Sequence, residues 1–371
     1  MKKNLLYTLL SLLLLLGLAG PARAATPLPP TGLPLAEALN PDGTLKAGLD
    51  GSFDARAFRM GTAPDGRPVF RPAGVAGAGD ERWADGFGLP GNGVAGRVDA
   101  VAISSNGDVY VGGFITQAGT LAVNGIAKWN GSAWSSLGTG ATNGVNGNVS
   151  AVAIAGNGDV YVGGQFTQAG GIAANNVARW NGTAWSNLGA GTGGTDNSVR
   201  ALAVAPNGDV YAGGYFTHAG GLLASRVARW NGTAWGSLGS GMDAAVNALA
   251  VASNGDLHAG GAFNQAGGIT ANCIAKWNGI TWTSLGTGLA STGTLVVFAL
   301  LVSNSDVYVG GIFAQAGGVA ANNIARWNES VWGSLGTGAA NGVNALVGSI
   351  AKANNGELYV GGIERHSSMR R

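Results

Sequence analysis

The chain has 371 residues, of which 67 are glycine and only 11% are charged, with a formal net charge of +2. Glycine at this level without a three-residue period excludes a collagen-like fibre and fits a fold with many turns. Lys2, Lys3 and Arg23 lie in an N-terminal leader, so the remainder is near neutral, and nothing in it has the basic footprint of a nucleic-acid binder.

Residues 1–24 read as a secretory signal. Lys2-Lys3 is the basic start, Leu5 to Leu18 the apolar middle, and Ala22-Arg23-Ala24 the small-residue cleavage motif. No Cys stands at the cleavage point, which argues against a lipid anchor, and no later stretch is apolar for long enough to span a bilayer. The expected product begins at Ala25 and is secreted or displayed at the cell surface. Residues 25–80 form a separate Pro/Gly-rich extension. Within it Phe58-Arg59-Met60 and Val69-Phe70-Arg71 flank Pro64-Asp65-Gly66, a hairpin pattern.

From residue 81 to 363 the chain is a repeat. An acid recurs at Asp108, Asp159, Asp209, Asp256, Asp306 and Glu357, in steps of 51, 50, 47, 50 and 51 residues. A Gly-Gly doublet follows each, and a tryptophan pair follows the first five: Trp129/Trp134, Trp180/Trp185, Trp230/Trp235, Trp277/Trp282 and Trp327/Trp332. Each unit holds four short apolar runs, in the second copy Val149–Ala155, Val160–Phe166, Asn176–Trp180 and Ala184–Leu188. Their length and their Val, Ile, Trp and Tyr content predict strands, and Asn-Gly steps between them predict tight hairpins. Runs such as Val101-Ala102-Ile103 are apolar on both faces, as befits a sheet covered on both sides. Four antiparallel strands about every fifty residues predict an all-β fold, a β-propeller of four-stranded blades.

The hydrophobic run into Gly-Gly, followed by two spaced aromatics, resembles the kelch repeat. The fuller string GGxFTxAGGxxxNxIARWNGxxW is similar to repeats of secreted bacterial surface proteins, many exported by the type IX route. Fungal cortical-marker proteins of cell polarity show a weaker similarity. The resemblance covers about Val98 to Gly362 and implies a propeller scaffold, while leaving function open, because such scaffolds host unrelated activities.

The repeat is incomplete at both ends. Trp83 lies 15 residues before Val98, as Trp134 lies 15 before Val149. Trp83 to Gly88 is therefore expected to supply the fourth strand of a composite sixth blade, whose first two strands come from Val347 to Ile363. Residues 364–371 leave the repeat pattern abruptly for a polar tail, the mark of a frameshift or premature stop, or of a natural polar end.

Asp108, Asp159, Asp209, Asp256 and Asp306 are each followed twenty residues later by Lys128, Arg179, Arg229, Lys276 and Arg326. Antiparallel second and third strands would bring each pair together, so these carboxylates are read as structural ion-pair partners rather than a calcium or catalytic ring. The tryptophans are read as packing between blades rather than as sugar platforms. His218, His258 and His366 share no metal-ligand spacing, and a surface histidine is the default reading. Cys273 is the only cysteine, which excludes an intrachain disulfide. Asn130, Asn181 and Asn231 begin Asn-Gly-Ser/Thr triplets, read here as turns. No cofactor or metal is expected. Loops between second and third strands, such as Thr167–Asn175, and the blade linkers share one face and read as long, small and polar. Thr116, Gln117, Thr167, Gln168, Thr217, His218, Asn264, Gln265 and Gln315 would ring that face, either meeting a ligand or bonding their own loops. The expectation is a binding or adhesion module for a glycan or protein, with no catalytic site of its own. A secreted carbohydrate-active enzyme and a fragment of a longer surface protein are the alternatives.

Overall fold

The computed structural model describes residues 33–34, 40, 53–54, 58–62, 68–72, 93–189, 194–336, 341–353 and 356–363. The chain divides into two compact units, one holding Val94–Arg371 and the other Leu18–Gly93. In the latter, Phe58–Thr62 pairs antiparallel with Pro68–Pro72, and Leu33–Pro34 runs parallel to Phe53–Asp54.

Among the described residues, Val94–Ser334 is built mainly from antiparallel sheets of four principal strands, each connected strand to next strand. Blade 1 comprises Val94–Ile103, Val109–Ala118, Ile126–Trp129 and Trp134–Ser136. Blade 2 comprises Asn148–Ile154, Val160–Gln165, Val177–Trp180 and Trp185–Asn187. Blades 3, 4 and 5 repeat this plan from Val199–Val204 to Trp235–Ser237, from Val246–Val251 to Trp282–Ser284, and from Val296–Ser303 to Trp332–Ser334. Leu346–Lys352 and Leu358–Ile363 then pair as a two-stranded sheet. First strands of consecutive sheets lie side by side in chain order. The chain is thus a β-propeller of four-stranded antiparallel blades. The fourth strand expected at Trp83–Gly88 and the tail 364–371 lie outside the described residues.

The core lies between blades, which explains strands that are apolar on both faces. One buried cluster joins Tyr211, Val227 and Leu238 of blade 3 to Val246, Leu257 and Trp282 of blade 4, and another joins Tyr110 and Ile126 of blade 1 to Val149 and Val160 of blade 2. Burying each such aliphatic side chain is worth about 1.5–3 kcal/mol.

The Gly-Gly doublet serves two neighbours at once. A Cβ on Gly163 would stand 2.5 Å from Cγ1 of Val199 in the next blade, and one on Gly164 would stand 1.9 Å from the Asn148 carbonyl of its own blade. The second approach is close because the first strand bulges between Val149 and Ala151. The same irregularity recurs in every first strand, including Val347/Ser349 of the last sheet.

The tryptophans hold adjacent blades together. Within each pair the rings face each other across the third and fourth strands, as in Trp180 and Trp185 with centroids 5.5 Å apart. The second indole then reaches back one blade. Trp185, Trp235, Trp282 and Trp332 donate Nε1–H to the carbonyls of Leu137, Leu188, Leu238 and Leu285 at 2.7, 2.8, 2.8 and 2.8 Å. These residues lie where the fourth strand of the preceding blade ends, so the bond staples blade to blade.

The Asn-Gly-Ser/Thr triplets form the turn between the tryptophans. Asn181 Oδ1 accepts from Thr183 N, Thr183 Oγ1 and Ala184 N at 3.0, 2.9 and 2.8 Å. Gly182 takes φ +95° there, and Glu329 takes φ +75° at the same place in blade 5. A left-handed non-glycine residue costs about 1–2 kcal/mol.

Candidate functional site

The loops between second and third strands are not the plain polar loops the sequence suggests. Each folds into a small hairpin: Gln168–Ala169 pairs with Ile172–Ala173, His218–Ala219 with Leu222–Leu223, Gln265–Ala266 with Ile269–Thr270, and Gln315–Ala316 with Val319–Ala320. In blade 1 Gln117 pairs with Ala122. The alanine after each Gln or His is fully buried, whereas the returning strand leaves an aliphatic exposed at Leu121, Ile172, Leu222, Ile269 and Val319. This face therefore presents a mixed polar and aliphatic ring.

In blades 2 to 4 a linker side chain holds the hairpin base. Asn146 Oδ1 accepts from the backbone N–H of Thr167 and Gln168, both at 2.9 Å. Asp196 Oδ1 accepts from Thr217 N at 2.8 Å and His218 N at 2.9 Å, while its Oδ2 meets Thr217 Oγ1 at 2.7 Å and His218 Nδ1 at 3.2 Å. Asp243 Oδ1 accepts from Asn264 N at 3.0 Å and Gln265 N at 2.9 Å. Partial burial of Asp196 opposes ionisation, but the bonds from His218 and Thr217 outweigh it and hold its carboxyl at about 2. The sequence reading missed Asn146, Asp196 and Asp243. Their signal was an Asn or Asp three residues before Val149, Val199 and Val246.

Blades 1 and 5 use other means. In blade 1 Gln117 Nε2 donates to Gly119 O at 2.9 Å. Beside Gln315, the Ala314 N–H bonds Ala290 O at 3.0 Å. Of the nine candidate ligand-face residues, Thr217 is half-buried and the other eight are exposed. A cleft of about 380 Å³ opens on this face between blades 2 and 3, with Thr167, Asn146 and Asp196 in its walls.

The acid–base partners sit at the opposite, tight-turn end of the strands. Lys128–Asp108, Arg179–Asp159, Arg229–Asp209, Lys276–Asp256 and Arg326–Asp306 approach to 3.3, 2.7, 3.6, 3.2 and 3.6 Å. The Arg179 Nε contact is ionic, since its N–H is not aligned for a hydrogen bond. In the first four blades an asparagine two residues earlier also donates to the carboxylate, at 2.8 to 3.1 Å. These carboxylates are thus already engaged within their own blades.

His258 departs from the surface reading. It lies inside the second strand of blade 4, is only 5% exposed, and its Nδ1 has no hydrogen-bond partner. Burial, aided by the charge of Lys276, lowers its pKa to about 4. Cys273 is also buried, at φ +72°, and burial pushes its thiol up to about 12. His366 lies outside the described residues. Among the described residues no group of three or more His, Cys, Asp and Glu is placed to hold a metal ion, and no helix is long and apolar enough to cross a membrane.

No protein-family model matches the chain, and no curated protein matches it in sequence. Solved structures resemble it in shape at low identity. The extracellular domain of BT4673 from B. thetaiotaomicron matches at 13% identity and TM-score 0.47, over 74% of this chain and 32% of that one. The WD40 β-propeller domain of Doa1 matches at 16% and 0.47, over 72% and 76%. PorZ, a bacterial surface component of the type IX secretion system of Porphyromonas gingivalis, matches at 14% and 0.45, over 79% and 41%. The chain thus spans about a third of the first of these and under half of the last.

Proposed function

We propose that this chain is a kelch-like β-propeller, secreted or displayed at the cell surface, that binds or adheres to a glycan or protein through its hairpin face and has no catalytic role. The observation that carries the reading is the hairpin ring. Equivalent hairpins recur blade after blade, and in blades 2 to 4 a linker Asn or Asp fixes each base. They hold Gln, His and aliphatic side chains outward on a rigid scaffold, an arrangement suited to recognition. The address rests on the basic-apolar-small pattern of residues 1–24.

The test immobilises the full chain on glycan and extracellular-matrix protein arrays, beside a variant carrying Gln168→Ala, Leu223→Ser and Gln265→Ala. Saturable binding by the parent, lost in the variant at unchanged melting temperature, supports the reading. Binding that survives all three substitutions, or turnover of a polysaccharide panel by the parent, overturns it. Cell fractionation with and without residues 1–24 tests the address separately.

A further inference from the structure

The repeats act as internal controls for one another, and three departures from them meet on the tight-turn face between blades 4 and 5. Tyr110, Tyr161, Tyr211, Tyr308 and Tyr359 occupy the position that blade 4 gives to His258. Tyr110, Tyr161 and Tyr211 each pack into a core shared with the following blade. His258 is smaller, and a cleft of about 300 Å³ lies at its seam with blade 5. His258 is in register with Lys276, and Lys276 with Thr283, so these three residues form one row along the blade 4 wall. The blade 5 wall carries two more departures: Asn304-Ser305 where other copies have Asn-Gly, and Glu329 where they have Gly. Asn304 and Glu329 hold φ +56° and +75°.

From this convergence we infer that the cleft between blades 4 and 5 is a second binding site, taking a neutral saccharide of one or two rings. It is independent of the hairpin face. Its volume is at the small end of ligand pockets, about 300–1,000 Å³. Trp327 supplies an indole surface, and Thr283, Asn304 and His258 supply groups that donate or accept, as a ring of hydroxyls requires. Asp256 and Glu329 disfavour an anion. Lys276 is already held by Asp256 at 3.2 Å, so it neither invites a phosphate nor leaves that carboxylate free for a metal.

The experiment titrates the full chain by calorimetry with galactose, glucose, mannose, xylose, N-acetylglucosamine, cellobiose and lactose. His258→Tyr restores the residue of the other copies, so it fills the cleft with a side chain this fold already accommodates. Glu329→Gly does the same for the turn. Saturable binding of at least one sugar is expected. His258→Tyr should weaken it roughly tenfold or more, with the melting temperature at neutral pH retained and binding by Gln168→Ala unchanged. No saturable binding of any of these sugars, or binding unaltered by His258→Tyr, overturns the inference. A sugar lost with Gln168→Ala but kept by His258→Tyr would place recognition on the hairpin face alone, and would sink this site without touching the other.

Discussion

Replacing Trp282 by Phe isolates what the indole staple contributes between blades. Trp282 is 5% exposed and donates Nε1–H to Leu238 O at 2.8 Å. That carbonyl also accepts the Gly241 N–H at 3.1 Å, so deleting the indole donor does not orphan it. The loss is then the net value of one hydrogen bond, about 1 kcal/mol. The smaller ring keeps the Cβ, Cγ and Cδ1 atoms that pack over Gly267 but leaves a gap where the outer part of the indole lay. A partly relaxed void of this kind costs about 1–2 kcal/mol, giving roughly 2–3 kcal/mol in all. Trp277→Phe is the matched control. Trp277 is 8% exposed and makes no inter-blade hydrogen bond among the described residues, so its substitution should cost about 1–2 kcal/mol. Urea unfolding followed by far-UV circular dichroism, with slopes compared to check cooperativity, separates the two. If Trp282→Phe costs no more than Trp277→Phe, the staple contributes nothing and inter-blade cohesion rests on apolar burial alone.

Gly170→Ala should lower stability by about 3 kcal/mol, because its Cβ would lie 2.4 Å from Trp185 Cδ1 at φ +59°. Gly182→Ala, with φ +95° and nothing within 4 Å, should cost only the backbone strain of about 1–2 kcal/mol; equal shifts in melting temperature would refute the difference. His258 has its pKa lowered from 6.5 to about 4, so the unfolded chain binds the extra proton between those values. Its contribution is therefore full above pH 6.5 and is lost as pH falls towards 4, by at most about 3 kcal/mol. Melting curves of the parent and His258→Tyr at pH 7 and pH 5 should show a smaller pH dependence in the variant; parallel shifts would refute the assignment. The Cys273 thiol, raised to about 12 by burial and the nearby Asp243, should resist a disulfide reagent at pH 8 until the chain unfolds. Prompt stoichiometric labelling of the native protein would contradict its burial.

The strands, the tryptophan pairs and the twenty-residue pairing of acid with base were legible because each position is sampled five times, and the antiparallel register follows from the period. The hairpins on the candidate face were not. A strand of two residues, such as Gln168–Ala169, is too short to show alternation. Its fastening by Asn146, Asp196 and Asp243 spans 21 residues, and the corresponding positions in blades 1 and 5, Ala95 and Thr294, carry neither Asn nor Asp. His258 was visible as a departure from tyrosine, but residue type alone does not decide whether a histidine is buried. Only the strand register shows that it occupies the inter-blade row.

Consensus and departure therefore carry different information in this chain. What recurs, from Gly-Gly to the Trp pair, answers to constraints that every blade shares, namely close approach at the bulge and stapling to the preceding blade. A residue that breaks the pattern at a cost, as Glu329 does at φ +75°, is under no pressure from the shared scaffold, which already has glycine as the cheaper solution. Scattered departures would be drift. His258, Ser305 and Glu329 come from different strands and turns of two blades, yet they line one cleft. Their common location is what sets that cleft apart from the equivalent seams, and it is why restoring the repeat residue there is a sharper test than any alanine.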